Sequence, residues 1–99
     1  MTRKKWLRIN KVLRKRNIDT NQVKFINTVR HHITESDEHW KAKCDKCREL
    51  FLMKHDYICE VWTLDNKKRI DVLDLIDDIA FEFETDHKVN KPDSKTVYI

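Results

Sequence analysis

The chain has no glycine and a single proline, Pro92. P-loops, dinucleotide-binding turns and glycine-built oxyanion loops all depend on glycine, so those nucleotide-binding and acyl-transfer motifs are excluded. No run approaches the ~18 apolar residues that a membrane-spanning helix needs. The basic N-terminus is not followed by the apolar segment of a secretory signal, so a cytoplasmic protein is expected. The three cysteines, Cys44, Cys47 and Cys59, are too few and odd in number for a disulfide scaffold, in keeping with a reducing compartment. At 99 residues the length suits one domain with a modest core.

What is abundant is charge, and its distribution is uneven. Residues 1–16 hold eight cations (Arg3, Lys4, Lys5, Arg8, Lys11, Arg14, Lys15 and Arg16) and no acid. The remaining residues hold thirteen basic and seventeen acidic side chains. The net charge of +4 is therefore an N-terminal property. A basic block of this kind fits a phosphate backbone, where counterion release gives salt-dependent, sequence-independent affinity, and DNA is the expected partner. A solvated helix face or a membrane-surface helix is the alternative.

Residues 2–16 read as a helix with the apolar stripe Trp6, Ile9 and Leu13. Asp19 and Gln22 give a capping signal for a second helix to about residue 33, with Val23, Ile26, Val29 and Ile33 buried and His31 and His32 at its C-terminal end, where a cationic imidazole suits the helix dipole and capping is favoured over metal binding. A third helix is expected from the Thr34–Asp37 signal to about residue 53, its seam formed by Trp40, Cys44, Cys47 and Phe51. The C-x-x-C within that seam lacks further zinc ligands at a suitable spacing and sits mid-helix, so it reads as packing rather than as a metal or redox pair. His39 and Lys43 lie one turn apart on another face.

Strands follow over residues 57–64, 70–75 and 79–85, joined by polar breaks at 65–68 and 77–78. Parity fixes the faces. With even loops, pairing Leu64 with Arg69 and Asp71 with Glu84 puts Glu60, Asp71, Glu82 and Glu84 on one sheet face, while an odd loop would turn Asp71 to the apolar side. Clustered carboxylates repel one another unless a cation neutralises them, and oxygen ligands of this type suit Mg²⁺ or Mn²⁺. A solvated hairpin face is the other reading of the same alternation. A polar stretch over 86–94 and a short strand at 96–99 complete the chain.

The order of a helix with Glu38, His39 and Lys43, a strand with Glu60, R-I-D-V at 69–72 and A-F-E-F-E at 80–84 resembles the PD-(D/E)xK nuclease superfamily over about residues 36–85, especially its small archaeal and competence-associated members. The resemblance implies an α/β (α+β) architecture: a restriction-endonuclease-like helix with a three-stranded antiparallel meander and a short terminal strand. Residues 34–99 would be the minimal core and residues 1–33 a basic helical extension packed on it. It implies that Asp71, Glu82 and the Phe83 carbonyl hold Mg²⁺ or Mn²⁺, with Glu60 adding a further acid and Glu38, His39 and Lys43 facing the site. Glu84 stands where the superfamily usually has lysine; Lys43, Lys88, Lys67 and Lys68 are the lysines available to replace it. The segment before residue 96 is short for a crossover helix, so the N-terminal helices or a second subunit would cover the open sheet face. The leading expectation is a Mg²⁺-dependent DNA endonuclease. The alternatives are a non-catalytic DNA-binding protein on the same scaffold and a protein-interaction module; a homodimer is compatible with each.

Overall fold

The computed structural model describes residues 1–83 and 96–98. In order these form α1 (Arg3–Lys15), a 3-10 turn (Thr20–Phe25), α2 (Asp37–Leu52), β1 (Tyr57–Trp62), β2 (Arg69–Asp74), β3 (Ile79–Glu82) and β4 (Thr96–Tyr98). The sheet order is β1-β2-β3-β4. The first three strands are antiparallel neighbours, and β4 runs parallel to β3. The fold is thus α+β, with a helix followed by an antiparallel meander. Glu84 and Lys88 lie outside the described residues.

The two helices take opposite sides of the sheet. Ile9 and Leu13 of α1 share a core with Ile58, Val61, Ile70 and Leu73, while Cys47 and Leu50 of α2 pack with Tyr57, Cys59, Val72 and Phe81. Thr2 caps α1 by accepting from the Lys5 amide, and Ser36 caps α2 by accepting from His39 N–H. Each cap satisfies one of the amides that a helix start leaves without an internal partner. No described helix is long and apolar enough to cross a membrane.

Three expectations are corrected. The second helix does not extend to residue 33: after the short turn the chain turns out of helix at Ile26 (ψ 135°), and Asn27 has φ 62°. Val23, Ile26, Thr28 and Val29 are β-branched and weak helix formers. Asn27 is also held at the start of β1, where it donates to Asp56 and both receives from and donates to the Tyr57 backbone. Ile33, expected in a buried stripe, is 96 % exposed. In α1, Ile9 and Leu13 are buried, but Trp6 remains partly open to solvent. In α2 the buried stripe is Lys43, Cys47 and Leu50, and the expected seam members Trp40 and Phe51 are exposed.

The strand register differs by two residues at each hairpin, with parity kept. Trp62 pairs with Arg69 rather than Leu64 with Arg69. The Asn66 amide donates to Thr63 O with Asn66 at φ 58°, so the chain turns back within the expected break. Asparagine tolerates this left-handed conformation better than most residues. At the second hairpin Asp74 pairs with Ile79. Asp74 Oδ1 accepts the amides of Ile76 and Asp77, drawing them out of the ladder and lengthening the turn. Followed by one more step, the two registers set Asp71 across from both Glu60 and Glu82.

Without glycine, six other residues adopt positive φ: Asn17, Asn27, Lys54, Glu60, Asn66 and Asp78. Asn17 and Lys54 follow the C-caps of α1 and α2. There the amides of Ile18 and His55 reach back to Leu13 O and Leu50 O, the double-bonded helix ending that favours a left-handed residue. Asn27, Asn66 and Asp78 lie in turns. Glu60 alone lies inside a strand, at φ 52°.

Candidate metal centre

The Glu60 kink changes which residues share a face. Ile58 and Val61, three apart, both pack on the α1 side, and their partners Leu73 and Ile70 do the same. Regular alternation would separate each pair. The break falls at Glu60 and its opposite residue Asp71, turning both side chains toward α2. A left-handed non-glycine residue costs about 1–3 kcal/mol and persists where surrounding contacts over-determine it.

Those contacts come from α2 and the loop before it. Lys43, fully buried, donates from Nζ to Glu35 Oε2 at 2.5 Å and to Glu60 Oε1 at 2.8 Å. Arg69 spans the two strand acids, 3.5 Å from Glu60 Oε2 and 3.4 Å from Asp71 Oδ1. Arg30 donates to the carbonyls of Cys59 and Glu60, holding the kinked backbone from outside. Asp71 Oδ2 accepts from the Phe83 amide at 2.9 Å. His39 Nε2 lies 3.6 Å from Asp71 Oδ1 and 3.9 Å from Glu35 Oε2. His31 Nδ1 is 3.2 Å from Glu35 Oε1, and its Nε2 accepts from the Trp40 indole.

Burial pulls the Lys43 pKa down, but the hydrogen bonds to Glu35 and Glu60 outweigh it and leave the ammonium above its ordinary range. Burial likewise pushes Glu35 up, yet its bonds with Lys43 and His31 hold it below the usual carboxylate range. Lys43 and Glu35 are therefore a charged pair across neutral pH. Within this cluster Asp71 Oδ1 and His39 Nε2 are buried without a hydrogen bond and lie 3.6 Å apart. Glu35, His39 and Glu60 also place one ligand atom each within 4.8 Å of one another.

No family model matches the chain, and no curated protein or solved structure does.

The cluster gathers His39, Lys43, Glu60 and Asp71 from the expected set. Glu38 is not part of it, and Glu84 lies outside the described residues. Glu38 is exposed on α2, and Glu35 occupies the place expected of the helix acid. Phe81 and Phe83 both pack on the α2 side, so Glu82 between them points to the opposite side by strand alternation. Of the expected metal ligands, Asp71 and Glu60 meet at one site, while Phe83 enters through its amide bond to Asp71. Glu35, Arg69 and His31 are not among the site residues expected from the sequence. Their signal was faint: Glu35, His39 and Lys43 are spaced by four, but Glu35 precedes the helix cap.

The C-x-x-C forms no metal cluster among the described residues. Cys47 and Cys59 are buried with Sγ atoms 3.3 Å apart, and their hydrogen bond pushes Cys47 up and draws Cys59 down. Cys44 is half-buried, its thiol raised by burial.

A second histidine–acid group lies beyond the end of α2, where His55 Nδ1 sits 2.9 Å from Asp74 Oδ2 and 3.8 Å from Asp77 Oδ2. The bond to Asp74 raises the His55 pKa above its ordinary 6.5 despite desolvation. The folded state therefore holds this proton more tightly than the unfolded chain. The stabilisation is fully present below pH 6.5 and is lost as pH rises through the folded pKa. Urea unfolding of wild type and His55→Gln across pH 5.5 to 8.5 should show a decline on the alkaline side that the variant lacks; parallel curves would refute the linkage.

Proposed function

We propose that the chain is a divalent-metal-dependent DNA endonuclease, with Mg²⁺ or Mn²⁺ held at the Asp71 end of the α2 cluster. The observation that carries this reading is the buried pair Asp71 Oδ1 and His39 Nε2, neither of them hydrogen-bonded and 3.6 Å apart at the Glu60 kink, with the Arg69 guanidinium 3.4 Å from Asp71 Oδ1. A buried carboxylate oxygen without a hydrogen bond is costly. A cation shared with the imidazole would satisfy both atoms, and beside them Glu35, His39 and Glu60 place one ligand atom each within 4.8 Å of one another. Carboxylate-rich sites favour Mg²⁺ or Mn²⁺, and the histidine tilts this one toward Mn²⁺.

When bound, such an ion activates water and stabilises charge developing on a phosphoryl oxygen. Lys43 remains protonated and offsets the charges of Glu35 and Glu60. Arg69, its side chain 29 % exposed, is the cluster's outward-facing cation and is suited to a phosphate oxygen. The Phe83 amide fixes the Asp71 carboxylate through Oδ2, leaving Oδ1 for the ligand role. A mixed sheet with β4 parallel to β3, flanked by α2, supports a restriction-endonuclease-like core. The α1 layer over the other face supplies the cover that a short crossover would leave missing.

DNA binding belongs chiefly to α1. Lys5 pairs with Asp56, and Lys15 and Arg16 pair with Asp78. Arg3, Lys4, Arg8, Lys11 and Arg14 are exposed, with no ion pair among the described residues. These five are available for phosphates. They lie across the sheet from the metal cluster, so a bound strand reaches Arg69 round the edge strand β1. That edge carries a cleft of about 290 Å³ lined by Gln22, Arg30, Glu60 and Trp62. Trp62 is half exposed and offers a stacking surface for a base. Arg8→Ala/Lys11→Ala should weaken DNA binding on all sequences and lower the log–log salt slope by about two, one per lost phosphate contact. An unchanged slope would remove α1 from the DNA interface.

The charge balance supplied by Lys43 favours a second reading, DNA binding without cleavage, because an ammonium already neutralises Glu35 and Glu60. Incubation with labelled single-stranded, duplex and branched DNA under Mg²⁺ or Mn²⁺ separates the two. Metal-dependent product on a denaturing gel supports the nuclease, and salt-sensitive binding without product supports the non-catalytic protein.

A further inference from the structure

Trp40, Cys44, Cys47 and Phe51 recur at intervals of four, three and four, the spacing of a two-heptad helix seam. Only Cys47 is buried in this chain; Trp40 is 48 % and Phe51 66 % exposed. The cause is Lys43. Drawing its ammonium to Glu35 and Glu60 rotates α2 so that Lys43, Cys47 and Leu50 face the sheet, leaving most of the heptad seam on the surface. The sequence thus writes a helix-pairing stripe that the described residues do not cover.

We propose that this stripe pairs with α2 of a second copy, antiparallel about a two-fold axis near Cys44. Charge selects both the occupant and its direction. The first turn of α2 carries Asp37 and Glu38; at its far end Glu49 is paired with Lys46, which leaves Arg48 and the following Lys54 as the charges without an ion pair among the described residues. Antiparallel copies set each acidic end against the basic end of the other and bring Lys41 toward Asp45. Parallel copies would align like charges. The arrangement is self-complementary, as a two-fold interface must be. Beside Trp40, Lys41 and Cys44 lies an open, largely apolar cleft of about 510 Å³, into which Phe51 of the second copy would insert. Trp40 also donates to His31, which bonds Glu35, so pairing at this stripe braces the loop that presents Glu35. The dimer does not depend on the nuclease reading.

Sedimentation velocity of the full chain over a hundredfold concentration range tests the proposal, with Phe51→Lys as the variant and circular dichroism confirming that it folds. Phe51 is a surface residue, so its replacement should leave the monomer intact. Wild type should sediment at twice the 12.1 kDa chain mass and Phe51→Lys as a monomer. A short bis-maleimide should join two wild-type chains through Cys44, and this product should fall at least tenfold in Phe51→Lys. Three results would overturn the proposal. One is a wild-type monomer at every concentration. Another is a dimer unaffected by Phe51→Lys. The third is a monomer whose Cys44 is shielded from alkylation by added DNA, which would make the stripe a nucleic-acid surface.

Discussion

Lys43→Met is expected to destabilise the fold by about 3–5 kcal/mol at neutral pH, the usual cost of removing one partner from a buried ion pair. Methionine fits the volume and the apolar surroundings, so packing is largely kept. What is lost is the ammonium between Glu35 and Glu60. His31 and Arg69 remain beside these acids, but at 3.2 and 3.5 Å they are more distant than Lys43. The deficit should shrink as pH falls toward the carboxylate range. Without Lys43 the buried acids take up protons more readily folded than unfolded, so the variant gains stability relative to wild type on acidification. Urea midpoints at pH 7 and pH 4.5 measure this. A variant as stable as wild type at pH 7 would mean that Lys43 is not the charge holding the cluster together. Adding Glu60→Gln should restore part of the loss, because it removes one of the two stranded charges.

Asp71→Asn is expected to lower metal-dependent DNA cleavage by about a hundredfold to a thousandfold, comparable with removing one charge-stabilising group from an active site. Asparagine keeps the size of Asp71 and can still accept the Phe83 amide, so the fold should persist. Glu35→Gln should act in the same direction. Glu38→Gln, a substitution on the exposed side of α2, should leave cleavage unchanged. This contrast separates the observed cluster from the arrangement expected from the sequence, in which Glu38 was the helix acid. Equal losses in Glu35→Gln and Glu38→Gln would contradict the geometry. Retention of activity in Asp71→Asn would remove the site.

The sequence made the elements legible where local chemistry acts alone. Thr2 marks the start of α1, the β-branched runs mark the three strands, and parity correctly joins Glu60 with Asp71. Registers were misread because each turn is set by one side chain. Asn66 bonds back to Thr63 and shifts the first turn, and Asp74 widens the second by capturing two amides. The second helix failed because its β-branched residues favour helix weakly and Asn27 among them bonds Asp56 and Tyr57 instead of the helical ladder. The α2 face was misjudged for the opposite reason. Hydrophobic periodicity placed Trp40 and Phe51 inside, whereas one lysine with two acid partners outweighed them. The Glu60 kink had no sequence signal. A left-handed residue within a strand arises from tertiary contacts with Lys43, Arg69 and Arg30, and it turns Asp71 toward α2.

The most direct test is Mn²⁺ binding, followed by electron paramagnetic resonance of the free ion, in wild type and Asp71→Asn without DNA. One site per chain in wild type, lost or weakened by about ten- to a hundredfold when Asp71 is replaced, is the predicted result. No Mn²⁺ uptake by wild type, or equal uptake by both proteins, would contradict a metal centre at the Glu60 kink.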